Sequence, residues 1–240
     1  MKLSLLEKSL AASRAGRAAV LATDLKSGLQ SFLEGTEFLG ELPLDAAALA
    51  AIRTAVREDR STIIDTAHGP VFVEVFNPKL RCIIIGAVHI AQPLARMAAL
   101  TGYLVTVVDP RTAFASDERF PDMSLSTDWP DEAMEKLKPN RRTAIVTLTH
   151  DPKLDDPALD RALKSPAFYI GSLGSRRTHA ARLKRLRELG HGDNALQRIQ
   201  GPVGLNIEAV TAPEIALSII AELVAVRRGA ALPQKQPLAA

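Results

Sequence analysis

The sequence predicts an α/β protein: a Rossmann-like parallel sheet with helices on both faces, preceded by a small mixed α/β N-terminal domain. In the later part of the chain, apolar β-rich runs alternate with helical runs, which is typical of such a sheet. A glycine turn at Gly86 joins one run to a helix, and the acid Asp109 closes the next run. The segment "NPKL" at residues 77–80 interrupts the pattern before this alternation begins. We therefore expect domains at residues 1–78 and 79–229 and a flexible tail at 230–240.

The first domain is predicted to combine short strands with one helix. Its β-like runs are "RAAVLATD", "GLQSFLEG", "RSTIIDTA" and "VFVEVF", and its helix is "LDAAALAAIRTAVRED". The last two β-like runs flank Gly69-Pro70, a dipeptide that favours a turn. We expect these two runs to pair as a hairpin.

The second domain is predicted to hold at least four buried strands. They are "RCIIIG", "YLVTVVD", "TAIVTLT" and "AFYIG", with a short additional strand near "MSLS". Helices are expected at Ile90–Leu100, Pro130–Leu137, Pro157–Leu163, Arg176–Leu189 and Ala212–Arg228.

Capping signals mark where several of these helices begin. Asp156 before Pro157 indicates an N-cap followed by proline at the first helical position, and Thr211 with Glu214 forms a capping box.

In the fourth helix, the apolar stripe is expected to consist of Leu183, Leu186 and Leu189. Most of the basic residues around that stripe, which are Arg182, Lys184, Arg185 and Arg187, are expected in solvent.

The turn at Gly86 resembles only part of a dinucleotide-binding loop. Such a loop has the form G-x-G-x-x-G, and here Val88 and Ala91 replace its second and third glycines. Val88 places a branched side chain where a pyrophosphate would meet the backbone, which disfavours bound NAD(P). Asp109 keeps the spacing of an acid that binds a ribose hydroxyl. The predicted first wall of a ligand crevice consists of Gly86, His89, Asp109 and Arg111.

Ligands of open parallel sheets bind beyond the carboxyl ends of the strands, so the other strand ends are expected to converge on this turn. After the fourth strand, "GSLGSRRT" brings glycines, a hydroxyl cap and arginines to a helix start, a combination suited to an anion. The predicted second wall consists of Gly171, Ser172, Gly174, Ser175 and Arg176, and the third of Gly201, Pro202, Gly204 and Leu205. His150 and Asp151 after the third strand are too few ligands for a metal. We assign no metal ligand and no catalytic residue.

Composition narrows the class of protein. Lysine and arginine number 30 against 27 acidic residues, so the sequence gives no reason to expect a nucleic-acid partner. Cys82 is the only cysteine, which excludes an internal disulfide framework and fits a reducing compartment. No run approaches about 18 uninterrupted apolar residues, and the N-terminus lacks the apolar core of a signal peptide. We expect a cytoplasmic protein with no membrane partner.

Five segments in order resemble the Rossmann domain of the xanthine dehydrogenase accessory proteins of the XdhC/CoxI type. They are "IIIGAVHIAQPLARMAALTGYLVTVVDPR", "RFPD", "LTHDPKLD", "YIGSLGSRRT" and "GPVGLNIEAVTAPEIALSIIAELVAVRRG". The resemblance implies a non-catalytic accessory factor that binds molybdenum cofactor, as molybdopterin or its dinucleotide form, and inserts it into a xanthine dehydrogenase-like molybdoenzyme. It also implies a cysteine desulfurase or a second XdhC-type protein as partner, and the apolar last helix suggests a homodimer.

The chain departs from the family pattern at several positions. The first motif usually reads G-A-G-H, so Val88 is unusual, and Asn206 and Glu208 stand where Asp and Gly are usual. Residues 1–78 contain neither the G-S-S-P-R nor the G-G-C-L-E segment of many relatives, so the N-terminal region resembles a reduced form. Two alternatives stay open: an NAD(P)-dependent oxidoreductase built on Gly86 and Asp109, and a ligand-free regulatory or interaction module.

Overall fold

A computed structural model describes residues 3–35 and 37–232 of the chain. The chain divides into two units, Met1–Lys79 and Leu80–Ala240. Of the tail expected at 230–240, residues 233–240 lie outside the described residues.

The first unit is an antiparallel sheet with two helices. Its strands are β1 (Ala19–Asp24), β2 (Gln30–Glu34), β3 (Glu37–Gly40), β4 (Thr62–Thr66) and β5 (Gly69–Phe76), in the order β3-β2-β1-β5-β4. The predicted hairpin is confirmed, because β4 and β5 pair from Thr62 opposite Val73 to Thr66 opposite Gly69. Helix α2 spans Ala46–Glu58 as expected, whereas α1 (Leu3–Arg14) and β3 were not predicted.

The second unit is a six-stranded parallel sheet, which confirms the predicted fold class. Its strands are β6 (Leu80–Ile85), β7 (Tyr103–Val108), β8 (Ser124–Ser126), β9 (Thr143–Thr147), β10 (Tyr169–Ser172) and β11 (Ile199–Gln200). Their order is β11-β10-β9-β6-β7-β8, so the chain begins in the centre, builds outward to one edge, and returns to build the other. This is the Rossmann strand order. Strands β7 and β8 are added on one side of β6 and strands β9 to β11 on its other side, and in such sheets ligands bind at this switch point between β6 and β9.

Helices cover both faces of this sheet because the side chains of β6 alternate between two apolar clusters. Cys82 and Ile84 pack in the cluster that includes α3 (Ala91–Leu100) and α8 (Ala212–Arg228). Ile83 and Ile85 pack on the opposite face. The helices of that opposite face are α4 (Pro130–Leu137), α5 (Pro152–Lys164), α6 (Arg176–Glu188) and the short α7 (Asp193–Leu196).

The predicted start of α5 is wrong. The helix begins at Pro152, five residues before the expected Pro157, and its N-cap is Asp151, whose carboxylate accepts the N–H of the second helical residue. The Asp-Pro pair at 151–152 carries the same capping signal as the pair at 156–157, so the motif could not decide between them. Asp156 instead forms an ion pair with Arg185 of α6.

Candidate functional site

The turn after β6 can pass beside β9 only because residue 86 is glycine. Gly86 has a φ of 100°, which side chains rarely adopt. A Cβ atom at this position would lie 2.3 Å from the Cγ2 atom of Thr149, which follows β9. The predicted glycine therefore brings the first two loops of the crevice into contact.

The residues that follow Gly86 leave backbone donors at the start of α3. Val88 is half-buried, and its side chain packs against the apolar cluster under α3. His89 is exposed, and Ile90, at the N-cap position, makes no side-chain cap. Among the described residues, none accepts the backbone N–H of Val88, His89 or Ile90. The start of α3 therefore presents unpaired N–H groups and a positive dipole end.

Asp109, at the end of β7, is bound by its own chain. Its Oδ1 accepts the backbone N–H of Arg111 at 3.0 Å and the Nε–H of Arg111 at 2.9 Å. Its Oδ2 accepts the N–H of Ala87 and an Nη2–H of Arg111, each at 2.8 Å. Burial alone would raise the pKa of this fully buried acid, but these hydrogen bonds lower its pKa below the ordinary value. A carboxylate offers about four acceptor sites, so little capacity is left for a ribose hydroxyl.

The loop after β9 is held by a buried acid that the sequence did not single out. Asp155, in the first turns of α5, accepts a hydrogen bond from Thr149 Oγ1 at 2.6 Å and one from the backbone N–H of His150 at 3.3 Å. Burial raises the pKa of Asp155, although the hydrogen bond from Thr149 and the charge of Arg182 oppose that rise. His150 is exposed and adopts a φ of 69°.

The loop between β10 and α6 leads into a capped helix start, at the position where the sequence predicts an anion site. Ser175 is the N-cap, as expected, and its Oγ accepts the N–H of Thr178 at 3.1 Å. Arg176 and Arg177 are exposed, and neither side chain has an ion-pair or hydrogen-bond partner among the described residues. Ser172 is fully buried, and its hydroxyl lies 2.5 Å from that of Thr147, so it joins β10 to β9.

The glycines of the predicted second and third walls are required by packing within the chain. A Cβ atom on Gly171 would lie 2.5 Å from a methyl group of Val203, and one on Gly201 would lie 2.1 Å from the His179 ring. A Cβ atom on Gly204 would lie 2.3 Å from Ser218 Oγ in α8. Gly174, with a φ of 141°, passes over α6 with Thr178 atoms 3.2 Å from its Cβ position.

The third wall is hydrogen-bonded to α8. The backbone N–H of Leu205 donates to the carbonyl of Ser218, and the N–H of Gly204 donates to the buried carboxylate of Glu222. Pro202 follows a cis peptide bond from Gly201. The same Glu222 oxygen accepts the hydroxyl of Tyr169 at 2.7 Å, so this carboxylate links the third wall to β10.

Arg182 is an exception to the expectation that most of the basic residues on α6 lie in solvent. Its side chain is only 2% exposed, whereas Leu189, expected in the apolar stripe, is 58% exposed. Its guanidinium donates from Nη2 to the carbonyl of Leu173 at 2.9 Å and lies 3.6 Å from Asp155. Burial lowers the pKa of this guanidinium. Arg182 lies four residues before the buried Leu186, a spacing that could have signalled its inward direction.

Chemically, this edge of the sheet is suited to hold an anion. It combines the free backbone donors before α3 with the capped start of α6 and two exposed guanidinium groups. Across residues 3–35 and 37–232, no three histidine, cysteine or acidic side chains are grouped to hold a metal ion. In the same part of the chain, no helix is both long and apolar enough to cross a membrane.

The sequence is similar to a known protein family and to several individual proteins. The family model of the XdhC Rossmann domain matches residues 82–223. The chain is 36% identical over 152 residues to the molybdenum cofactor insertion chaperone PaoD of Escherichia coli, covering 63% of this chain and 42% of PaoD. It is 34% identical over 164 residues to YqeB of Escherichia coli, covering 67% of this chain and 30% of YqeB. It is 32% identical over 183 residues to a probable xanthine dehydrogenase subunit of Bacillus subtilis, covering 73% of this chain and 53% of that protein.

A solved structure shares the fold. The crystal structure of a xanthine dehydrogenase from Bacillus halodurans superposes with a TM-score of 0.71 at 25% identity, covering 94% of this chain and 64% of that one. The chain thus spans about a third to a half of the length of the relatives that it matches in sequence. Because the family model covers more than half of this chain, the chain belongs to the XdhC family, of which residues 82–223 form the Rossmann domain.

Proposed function

We propose that this protein binds molybdenum cofactor at the carboxyl-end crevice of its parallel sheet and inserts it into a xanthine dehydrogenase-like molybdoenzyme. The observation that carries this proposal is the start of α6, where Arg176 and Arg177 stand unpaired beside a capped helix N-terminus. The cofactor carries a phosphate group, and helix N-terminal N–H groups with forked guanidinium donors are matched to phosphate.

Family membership supports the same role. PaoD is named for molybdenum cofactor insertion and is 36% identical to this chain over 152 residues, and the Rossmann domain of the family matches residues 82–223. An insertion factor has to hold and release its cargo, and it needs no acid or base to perform chemistry. We therefore assign the crevice residues binding roles and assign none of them a catalytic role.

The two helix starts suggest how the form of the cofactor could be distinguished. The start of α6 suits the single phosphate of molybdopterin, and the unpaired N–H groups before α3 would suit the additional phosphate of a dinucleotide form. NAD(P) gains little support from this arrangement, because Asp109, which would bind its ribose, is occupied by Arg111 and Ala87.

The remaining partner assignments are part of the same proposal. We propose a cytoplasmic site of action and a homodimer, for which Leu217 and Val224 on α8 offer exposed apolar side chains. A cysteine desulfurase or a second XdhC-type protein would act on the cofactor alongside this chain. Mass measurement of the purified protein in solution tests the homodimer, since a monomer at working concentration would refute it.

The binding role is tested by measuring bound pterin. The protein is purified anaerobically from a host that makes the cofactor, and the pterin released on denaturation and oxidation is quantified by fluorescence against protein. Wild-type protein is expected to carry pterin near one per chain. Arg176→Ala removes one charge-assisted contact of about 1.5–3 kcal/mol, so affinity is expected to fall about 10- to 150-fold.

A matched control separates the site from the general charge of α6. Lys184 is exposed on the same helix and has no partner among the described residues, so Lys184→Ala removes the same unit of charge away from the crevice. This variant is expected to carry as much pterin as wild type. Equal pterin loss in the Arg176 and Lys184 variants, or no pterin in wild type while PaoD is loaded from the same host, would refute the proposal.

A further inference from the structure

Asp155 of α5 and Arg182 of α6 form a buried ion pair beneath the crevice. The side chains of Asp155 and Arg182 are each only 2% exposed, and Asp155 Oδ2 lies 3.6 Å from Arg182 Nη2. The distance is too long for a hydrogen bond, so the two charged groups are neighbours held mainly by their other contacts.

Each member of the pair reaches a different loop of the crevice. Asp155 accepts hydrogen bonds from Thr149 Oγ1 and from the His150 N–H, both in the loop after β9. Arg182 donates to the carbonyl of Leu173, in the loop that leads to Ser175 and the start of α6. Thr149 also carries the methyl group that lies against Gly86, so the connected atoms extend to the turn before α3.

The pair is poorly explained as a source of stability. Buried ion pairs can often be replaced by apolar residues of similar volume without loss of stability. In addition, Arg182 Nε and Nη1 have no hydrogen-bond partner among the described residues, and unpaired buried donors are destabilising. The hydrogen bonds of Asp155 and Arg182 to the two loops therefore explain the presence of these charged residues better than the attraction between their charges does.

We propose that Asp155 and Arg182 are positioning residues that fix the loop after β9 and the loop before α6 relative to each other. The inference rests on the proposed function in one respect: the fixed loops are those between which the cofactor would be held. The pair acts through Thr149, His150 and Leu173 and needs no contact with the ligand.

The neighbouring ion pair supplies a matched control. Asp156 and Arg185 join the same two helices one position further along α5, with Arg185 donating from Nε at 2.5 Å and from Nη2 at 3.0 Å. Neither of these side chains has a hydrogen bond to a crevice loop among the contacts of the described residues. The variants to compare are Asp155→Leu with Arg182→Met, and Asp156→Leu with Arg185→Met, because double replacement leaves no unpaired buried charge.

Hydrogen exchange measures the positioning directly, in full-length protein without ligand. In the Asp155/Arg182 variant, backbone amides at residues 149–151 and 173–175 are expected to exchange at least about tenfold faster, while β6 and β9 keep wild-type protection. The Asp156/Arg185 variant is expected to exchange like wild type. Unchanged exchange in the first variant, or equal acceleration in both, would overturn the proposal.

A second variant covers the case in which the first does not fold. Thr149→Val removes the hydrogen bond to Asp155 and the acceptor of the Asp151 N–H, but it keeps the shape of the side chain, including the methyl group against Gly86. Faster exchange is expected at His150, whose N–H donates to Asp155 and not to Thr149, with no change at 173–175, where Arg182 still holds Leu173. Wild-type exchange at His150 would overturn the proposal.

Bound pterin separates this inference from the proposed function. Loss of pterin from a folded Asp155/Arg182 variant, with pterin retained by the Asp156/Arg185 variant, supports both. If wild type itself carries no pterin, the proposed function fails, and hydrogen exchange in the two loops still decides the positioning role. Wild-type pterin content in a variant with loosened loops would show that the pair is not needed to hold the cofactor and would overturn its link to the cargo.

Discussion

Replacing Gly86 by alanine tests the contact that joins the first two crevice loops. The positive φ of 100° is expected to cost alanine about 1–3 kcal/mol. The new Cβ atom would lie 2.3 Å from Thr149 Cγ2, and overpacking of this kind typically adds about 1–3 kcal/mol. We therefore expect Gly86→Ala to reduce the free energy of unfolding by about 2–6 kcal/mol.

The two contributions can be separated with a second glycine. Gly102, between α3 and β7, has a φ of 91°, and apart from its chain neighbours no atom of the described residues lies within 4 Å of its Cβ position. Gly102→Ala should therefore show only the backbone contribution. In a Gly86→Ala background, Thr149→Ser removes the clashing methyl group, and the nearest remaining Thr149 atoms lie at 3.4 and 3.5 Å. The double-mutant cycle should give a favourable coupling of about 1–3 kcal/mol.

Urea unfolding followed by tryptophan fluorescence is a suitable assay. Trp129 is the only tryptophan and precedes α4 in the second unit, so its signal reports on the unit that contains Gly86. Equal destabilisation by Gly86→Ala and Gly102→Ala, together with no coupling to Thr149→Ser, would refute the close approach of the two loops.

Three further predictions concern buried polar groups. Asp109→Asn should cost about 1.5–3 kcal/mol at neutral pH by weakening the charged hydrogen bonds with Arg111. Because hydrogen bonding lowers the folded pKa of Asp109, that loss should shrink as pH falls below about 4, and a constant loss across a pH series would contradict it. Tyr169→Phe removes one donor from buried Glu222 and should cost about 1–3 kcal/mol in urea unfolding. Burial raises the pKa of Cys82 to about 12, so thiol reagents should label it only after unfolding, and rapid labelling of native protein would disprove its burial.

The sequence predicts the second unit well because its strands are short, apolar and regularly spaced. Strands β6, β7, β9 and β10 lie within one or two residues of the expected ends, and α4 and α8 match their expected ranges. The start of α5 was misplaced because two Asp-Pro pairs compete. Only packing distinguishes them, since the earlier start buries Leu154 and Asp155. Helix α1 was not predicted because it lies outside the regular alternation of strands and helices. Its buried face is also small and consists of Leu5, Ser9 and Ala12.

The crevice was predictable in its location but not in its internal contacts. Topology alone brings Gly86, Thr149 and the start of α6 to one edge of the sheet. The spacing of Asp109 suggested a ligand contact, yet whether an acid faces a ligand or its own chain depends on Arg111, two residues away. The burial of Arg182 was hidden because arginine on a basic helix ordinarily lies in solvent.

The four hydrogen bonds that surround Asp109 have a consequence for the rates at which a ligand would bind and leave. These bonds order the wall from Gly86 to Arg111 when the protein folds. The binding of a ligand at this wall would therefore include no free-energy cost for ordering it. Association at such a wall is limited by encounter and orientation, at the ordinary rate of a preformed site. Release from a preformed wall is then set by the strength of the contacts themselves, and a recipient protein would have to compete for the ligand.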